Sequence, residues 1–319
     1  MGPGNPLGRI FDEAHQFDSG TRGITYELLI TSLKTMISPT VQKVLISAVI
    51  SNAAAVGEWL NGPGSETVSG TRLIPTYRTL GFASWTTNLG RIDFVADNDP
   101  EKQEFFVPRV IEQLPLQRKP REKKDRVFPD KSDGQAVALL LGLKLAKNGA
   151  VAVFCGRKTT AANLSGRAVE IFERQVPLGP PSIYSDAAEN GRLVYLHTQN
   201  LGSDAPATQS AALGIFSHHG NTPHGIRLAV EHAMREGLAR FVVCTSTLAQ
   251  GVNPPIRYLL ATSVYQGSER IKVWDFHNLI GRVGRAGMHT EGSILFADAD
   301  VYDSRKSNDG KWRWNQIKS

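Results

Sequence analysis

"QAVALLLGLKLAKNGAVAVFCGRKTTAANLSGRAVEIFE", residues 135–173, decides the fold. Gln135 to Gly149 reads as an apolar helix closed by glycine. "AVAVFC" (150–155) reads as a short buried strand, and "TAANLSGRAVEIFE" (160–173) as a second helix. Downstream the pattern continues. A loop-rich insertion runs from about Gln175 to Pro206, followed by a helix near Pro223 to Glu236. Strands are predicted at "RFVVCT" (240–245), "RYLLATSV" (257–264) and "GSILFA" (292–297), with a helix around "DFHNLIGRVG" (275–284). Strands alternating with helices predict an α/β fold, a parallel sheet flanked by helices on both faces. In such sheets ligands sit at the carboxyl ends of the strands. Asp12, Gly156 and Thr245 fall at such ends.

Upstream the reading is thinner. Residues 8–17 predict a short strand and a turn, Thr25 to Ile37 an amphipathic helix, and Lys43 to Ile50 a buried strand. "AAAVGEWLNG" (53–62) predicts a short helix, and the Gly/Pro/Ser-rich stretch 61–70 a boundary. From Thr71 to Phe128 there are only short alternating stretches. The charged run "RKPREKKDR" (118–126) reads as a solvated loop, with a nucleic-acid contact as the alternative.

The chain has 319 residues, 41% of them hydrophobic and 21% charged, enough apolar mass to bury a core. A net charge of +6 permits nucleic-acid binding without requiring it. The two cysteines, Cys155 and Cys244, lie in apolar runs and read as buried reduced thiols. The longest nearly apolar stretch, from Ala136, is too short to span a bilayer and contains Lys144. No leader is apparent, and the expected location is cytoplasmic.

Four stretches carry candidate chemistry. In "FDEAHQF" (11–17), Asp12 at a strand end can hold Mg²⁺ and Glu13 can orient or deprotonate water. The same pair also suits the start of a helix. In "NLIGRVGRAG" (278–287), Arg282 and Arg285 share a face if helical and can bind phosphates, or they can simply be solvated. "CTSTLAQGVNPP" (244–255) runs from a strand into a hydroxyl-rich turn that suits phosphate oxygens, though Thr245 or Ser246 could equally cap a helix. "SHHGNTP" (217–223) can touch a phosphate backbone, and no spacing nearby suits a bound transition metal. "CGRKTT" (155–160) follows a strand but lacks the upstream glycine of a phosphate-binding loop. No Gly-x-x-x-x-Gly-Lys-Ser/Thr run occurs in the chain.

Taken in order, these stretches resemble a superfamily-two DExH/DEAD-box helicase of the Ski-like and Lhr-like branch. "FDEAHQFDSGTRGITYELLI" looks like motif II, and "ISAVISNAAAVGEWLNG" like motif III, with Ser-Ala-Val where Ser-Ala-Thr is usual. "VFCGRKTTA" is similar to motif IV, and residues 217–255 to the stretch leading into motif V. "NLIGRVGRAG" resembles motif VI, with Asn278 where glutamine is usual. The resemblance covers about residues 9–298. It implies two RecA-like domains with ATP and Mg²⁺ in the cleft between them and RNA or DNA across their tops. Asp12 would hold Mg²⁺ through water, Glu13 would position the hydrolytic water, and His15 would couple the nucleotide to the other motifs. Ser47 and Asn278 would serve coupling. Gly251 and Asn253 would approach ATP, and Arg282 and Arg285 its γ-phosphate, one as an arginine finger. Thr245, Thr247, His219 and Gly220 would meet nucleic-acid phosphates.

The resemblance further implies domain limits. Residues 1–68 would be the C-terminal remnant of the first RecA-like domain. Residues 69–300 would be the second, with insertions near 85–130 and 175–206, and 301–319 a tail opening a further domain. The phosphate-binding loop would then lie in an absent part of the first domain, or in another chain. Two readings follow. One is an ATP-driven helicase or translocase, inactive in isolation as this fragment. The other is a non-catalytic module of helicase descent that binds nucleic acid or a partner.

Overall fold

The computed structural model describes residues 8–12, 14, 21–38, 41–47, 52–68, 77–96, 99–249, 255–263, 265–266, 269–270, 279–281, 283–284 and 291–318. Two compact units, Met1–Ile74 and Pro75–Ser319, account for the chain.

In the first unit, β1 (Arg9–Phe11) leads through α1 (Thr21–Met36) to β2 (Lys43–Leu45), and α2 (Ala53–Asn61) follows. The strands are parallel, with Arg9 opposite Lys43 and Phe11 opposite Leu45. Parallel pairing needs a crossover, and α1 supplies it. Lys34 ties α1 to α2. Its ammonium donates to the Trp59 carbonyl and lies 5.2 Å from the indole centroid. Much apolar surface is left in water, with Ile10 69%, Leu28 63% and Met36 81% exposed.

The second unit begins with an antiparallel meander, β3 (Tyr77–Thr86), β4 (Leu89–Ala96) and β5 (Asp99–Glu112). A small antiparallel pair, β6 (Leu114–Leu116) and β7 (Arg126–Phe128), follows. Then come α3 (Gly134–Leu145), β8 (Val151–Phe154) and α4 (Lys158–Glu173). Next are α5 (Ala187–Leu201), α6 (Pro206–Ala212), β9 (Ile215–His218), α7 (His224–Arg235) and β10 (Phe241–Cys244). After β11 (Tyr258–Ala261) come the short antiparallel strands β12 (Tyr265–Gln266) and β13 (Glu269–Arg270). The unit closes with β14 (Glu291–Phe296), α8 (Ala299–Asp303) and α9 (Lys311–Lys318).

One eight-stranded sheet organises this unit, in the order β5-β4-β3-β14-β11-β8-β10-β9. From β3 to β9 all pairings are parallel. The two faces can be read residue by residue from β8. Val151 and Val153 pack with α3 and α4, and Ala152 and Phe154 with Leu193 of α5 and with α7. The same alternation splits Phe241 and Val243 from Val242 and Cys244 in β10. Each such side chain contributes about 1.5–3 kcal/mol for the larger apolar residues. Because both faces are covered, the strands read as continuous apolar runs rather than alternating ones.

Local signals explain the helix limits. Asp133 caps α3 by accepting from the Gln135 and Ala136 amides, each at 3.0 Å, an interaction typically of about 1 kcal/mol. Lys144, the charge within the apolar run, reaches the edge of the sheet. Its ammonium meets Glu112 Oε1 at 2.8 Å and the Val110 carbonyl at 3.0 Å. Both cysteines are buried free thiols. Burial pushes the Cys155 thiol up to about 12 and the Cys244 thiol well above its usual value. No described helix is long and apolar enough to cross a membrane.

One expectation is corrected, and three other stretches gain detail. The stretch 175–206 is largely helical rather than loop-rich, because a 3₁₀ turn at Pro181–Tyr184 is followed by α5, capped by Asp186 through a 2.8 Å bond from the Glu189 amide. The stretch 301–318, expected as a tail opening a further domain, packs against the core through α9. Trp314 of α9 is 1% exposed and lies against Phe82 and Tyr302, at centroid distances of 5.0 and 5.7 Å. Its indole donates to Glu101 at 2.7 Å. "IFSH" (215–218), for which no element was expected, is a parallel strand. The charged run 118–126 is, as expected, an exposed loop up to the start of β7, and it is anchored. Arg174, buried, makes two 2.8 Å bonds to Glu122 and one of 2.9 Å to Glu170. The hydrogen-bonded Arg174 guanidinium holds the Glu122 carboxyl down to about 2.

Gly214 turns the chain from α6 into β9 at φ +77, and a Cβ there would lie 2.4 Å from the Ser182 backbone nitrogen. The Gly214→Ala variant is therefore expected to lose about 2 kcal/mol or more from left-handed strain plus overpacking. Thermal unfolding checks this, and an unchanged midpoint would contradict it.

Candidate functional site

Polar groups gather where the parallel strands of the second unit end. The segments after β8, β9 and β10 are Cys155–Arg157, His219–Thr222 and Thr245–Ala249, the last closed by a 3₁₀ turn at Ser246–Ala249. These strands end together because their registers align, with Cys244 opposite both Phe154 and His218. The ends are stitched by backbone bonds, Cys155 N to Cys244 O at 2.8 Å and Thr245 N to His218 O at 3.1 Å.

His218 is the centre of a buried polar chain. Its Nε2 lies 2.6 Å from Glu231 Oε1 of α7, and its Nδ1 lies 3.2 Å from Thr247 Oγ1. Thr247 Oγ1 is 3.2 Å from Thr245 Oγ1. Burial pushes the His218 ring below the ordinary histidine range, with the bond to Glu231 opposing. The neighbouring His219 ring is also lowered by burial. It faces Thr222 and the Asn221 amide at 3.4 and 3.3 Å.

Around this chain the surface opens. Gly220 and Asn221 are exposed, as are Arg157 and Lys158 at the start of α4. Lys158 Nζ donates to Asn221 Oδ1 at 3.1 Å. The α4 N-terminus has no side-chain cap, which leaves its first amides free to meet anions. Cations and backbone amides are thus presented together, a donor set suited to phosphate oxygens, with the Thr245 and Thr247 hydroxyls behind them. A Cβ on Gly220 would meet nothing within 4 Å, so its surroundings are open.

Sequence-predicted residues fall into separate groups. Thr245, Thr247, His219 and Gly220 are brought together in the second unit, Thr245 at 8% exposure and Thr247 half-buried. Asp12 and Ser47 follow the adjacent parallel strands β1 and β2 in the first unit, linked by the Ile46 amide to the Phe11 carbonyl at 2.8 Å. The Asp12 carbonyl accepts from the Tyr26 hydroxyl. Glu13, His15, Gly251, Asn253, Asn278, Arg282 and Arg285 lie outside the described residues. Motif VI is framed by described neighbours. Leu279 and Val283 are fully buried, and the Gly284 amide donates to the Ile256 carbonyl at 2.9 Å.

Sequence reasoning missed two participants. Lys158 was set aside with the incomplete phosphate loop, yet a lysine opening a helix after a buried strand was signal enough. Glu231 meets His218 thirteen residues away only through the packing of α7 on the sheet, and no local pattern announces that.

A parallel sheet covered on both faces, with its polar loops at the strand ends, is the architecture of a RecA-like helicase domain. The comparisons agree. No protein-family model matches the chain. It is 27% identical over 315 residues to Hachiman protein HamB of Bacillus cereus, covering 97% of this chain and 27% of that protein. It is 24% identical over 305 residues to the ATP-dependent DNA helicase Hel308 of Caldivirga maquilingensis, covering 92% of this chain and 35% of that protein. Among solved structures, the DUF1998 helicase MrfA bound to DNA and AMPPNP is similar with a TM-score of 0.54 at 17% identity. That match covers 97% of this chain and 33% of the other. The structural likeness shows the fold, and helicases are among the sequence homologues. The chain spans about a quarter to a third of the length of these proteins.

Proposed function

We propose that the whole protein is an ATP-dependent helicase or translocase acting on RNA or DNA. On this reading, residues 1–68 are the C-terminal part of its first RecA-like domain and 69–300 its second. The observation that carries it is the alignment of more than nine-tenths of the chain with a DNA helicase, joined to the phosphate-suited loops at the strand ends. The parallel β1–α1–β2 crossover supports the assignment of residues 1–68 to an α/β domain.

ATP would supply the phosphoryl group and Mg²⁺ the neutralising charge. The described residues fit this in part. Asp12 is an exposed strand-end residue with the oxygen ligand that Mg²⁺ prefers. Among the described residues no group of three His, Cys, Asp or Glu side chains could hold a metal by itself. Glu13 would orient the attacking water, and His15, Ser47 and Asn278 would couple the sites. Gly251 and Asn253 would approach the nucleotide, and Arg282 and Arg285 would stabilise charge on the terminal phosphate. Thr245, Thr247, His219, Gly220 and Lys158 would meet nucleic-acid phosphates.

The test is phosphate release from Mg-ATP, with and without single-stranded RNA and DNA. The full-length protein is expected to show a nucleic-acid-stimulated rate abolished by Glu13→Gln. The isolated 319-residue chain, with no phosphate-binding loop in its sequence, is expected to show almost none. It should still bind single strands, more weakly as salt rises, and Lys158→Ala should lower the salt slope by about 0.7. A full-length protein that binds nucleic acid without any stimulated hydrolysis would favour the non-catalytic module. That second reading rests on the described phosphate-suited segments lying within this one unit.

A further inference from the structure

A carboxylate can only accept hydrogen bonds, so the 2.6 Å contact with Glu231 places a proton on His218 Nε2. In the neutral ring Nδ1 is then a bare acceptor. Its partner at 3.2 Å is the Thr247 hydroxyl, which must donate inward to it. The hydroxyl's other acceptor, the His218 carbonyl, is farther at 3.5 Å. With its proton so used, Thr247 Oγ1 receives the Thr245 hydroxyl proton across 3.2 Å. Both hydroxyl protons are spent inside the protein. A phosphate oxygen, which accepts only, finds no hydroxyl donor at either threonine.

Protonation of Nδ1 reverses the chain. The imidazolium donates to Thr247 Oγ1, and the Thr247 hydroxyl is released to donate outward. We propose that Glu231 and His218 are positioning residues that set the Thr247 hydroxyl, so that a nucleic-acid phosphate docks there with uptake of one proton at His218. This rests on the assignment of Thr247 to a nucleic-acid phosphate. The charged and titratable groups facing His218 are Glu231 and Arg227 of α7 and the adjacent His219, beyond which lies Lys158. Glu231 favours the cation. Arg227 opposes it, and a phosphate at Thr247 would offset that opposition.

The sign follows from linkage. If the bound state holds His218 at a higher pKa than the free state, affinity is greatest below the free value and falls as pH rises through the bound value. Burial sets the free value below the ordinary histidine range, so the gain develops as pH falls toward and below about 6.5.

Binding of fluorescein-labelled oligothymidylate to the 319-residue chain, at constant ionic strength from about pH 8 to about pH 5.5, tests this. The ratio of the Thr247→Val Kd to the wild-type Kd is expected to grow on the order of tenfold across that range, as a hydroxyl bond to a charged phosphate comes into play. Thr247→Ser should restore the wild-type profile, and His218→Gln should remove the growth of the ratio. A ratio that stays constant while binding remains salt-dependent would overturn the relay and leave the nucleic-acid assignment standing. An oligonucleotide that fails to bind wild type at any pH would sink that assignment and the relay with it. If His218→Gln does not fold, ¹⁵N shifts of the wild-type imidazole decide. The Nε2–H tautomer with a pKa that rises on adding the oligonucleotide supports the relay, and an unmoved pKa overturns it.

Discussion

Replacing Arg285 by alanine in the full-length protein is expected to slow ATP hydrolysis by on the order of 10³-fold or more at saturating ATP, the scale of a lost arginine finger. The loss should appear in kcat far more than in KM, because the guanidinium would act on charge that grows in the transition state. Arg285→Lys should not rescue it, since an ammonium lacks the planar fork that meets two oxygens at once. The surrounding anchor points favour this outcome. Leu279 and Val283 are fully buried, and Val283 bridges Ile256 immediately before β11. Those contacts fix the chain just ahead of the arginine. Binding of single strands by Arg285→Ala should persist, because the phosphate-suited loops follow β8, β9 and β10 in the chain and do not include Arg285. Steady-state phosphate release settles it, and a rate within tenfold of wild type would remove Arg285 from the reaction.

The largest effect on stability is expected at Trp314. The indole is 1% exposed, packs edge-on to Phe82 and Tyr302, and donates to Glu101. Phe82 in turn stacks on Phe296 at 4.9 Å. Truncation to alanine should remove the apolar contact and leave a cavity, costing about 3–5 kcal/mol. In a unit of this size that lowers the thermal midpoint by on the order of 10 °C. Trp314→Phe keeps most of the packing and loses only the donor, so its penalty should be distinctly smaller. A midpoint unmoved by alanine would mean that α9 is not part of the cooperative unit.

The sequence carried the central strands well because burial on both faces writes itself as apolar runs. β8, β10, β11 and β14 were all visible in this way, as were α3, α4 and α7. β9 was not, since its four residues end in Ser217 and His218, buried polar groups satisfied only in three dimensions. Ser217 pairs with Ser165 at 2.8 Å, and His218 with Glu231. The meander was obscured for the opposite reason. β5 is exposed along most of its length, so charges interrupt its alternation. α5 was hidden among glycines and polar residues, and its position depends on neighbours in space. At the site, hydroxyls in a turn after a strand were legible. The proton chain behind them was not, because pairing across thirteen residues is a property of how α7 lies on the sheet.

The sheet order also has a consequence in time. β3 pairs with β14 across a gap of 214 residues, as in the bond from Thr79 Oγ1 to Ser293 Oγ. At typical synthesis rates β3 must wait roughly ten to forty seconds on the ribosome for that partner. Throughout that interval it is satisfied only along the side held by β4. β11 waits on its β14 side as well, for a shorter time. Such unpaired edges recruit other strands. A ribosome that stalls before residue 291 would therefore leave two adhesive seams where the finished molecule has none, and the nascent chain should depend on holding factors in proportion to that delay.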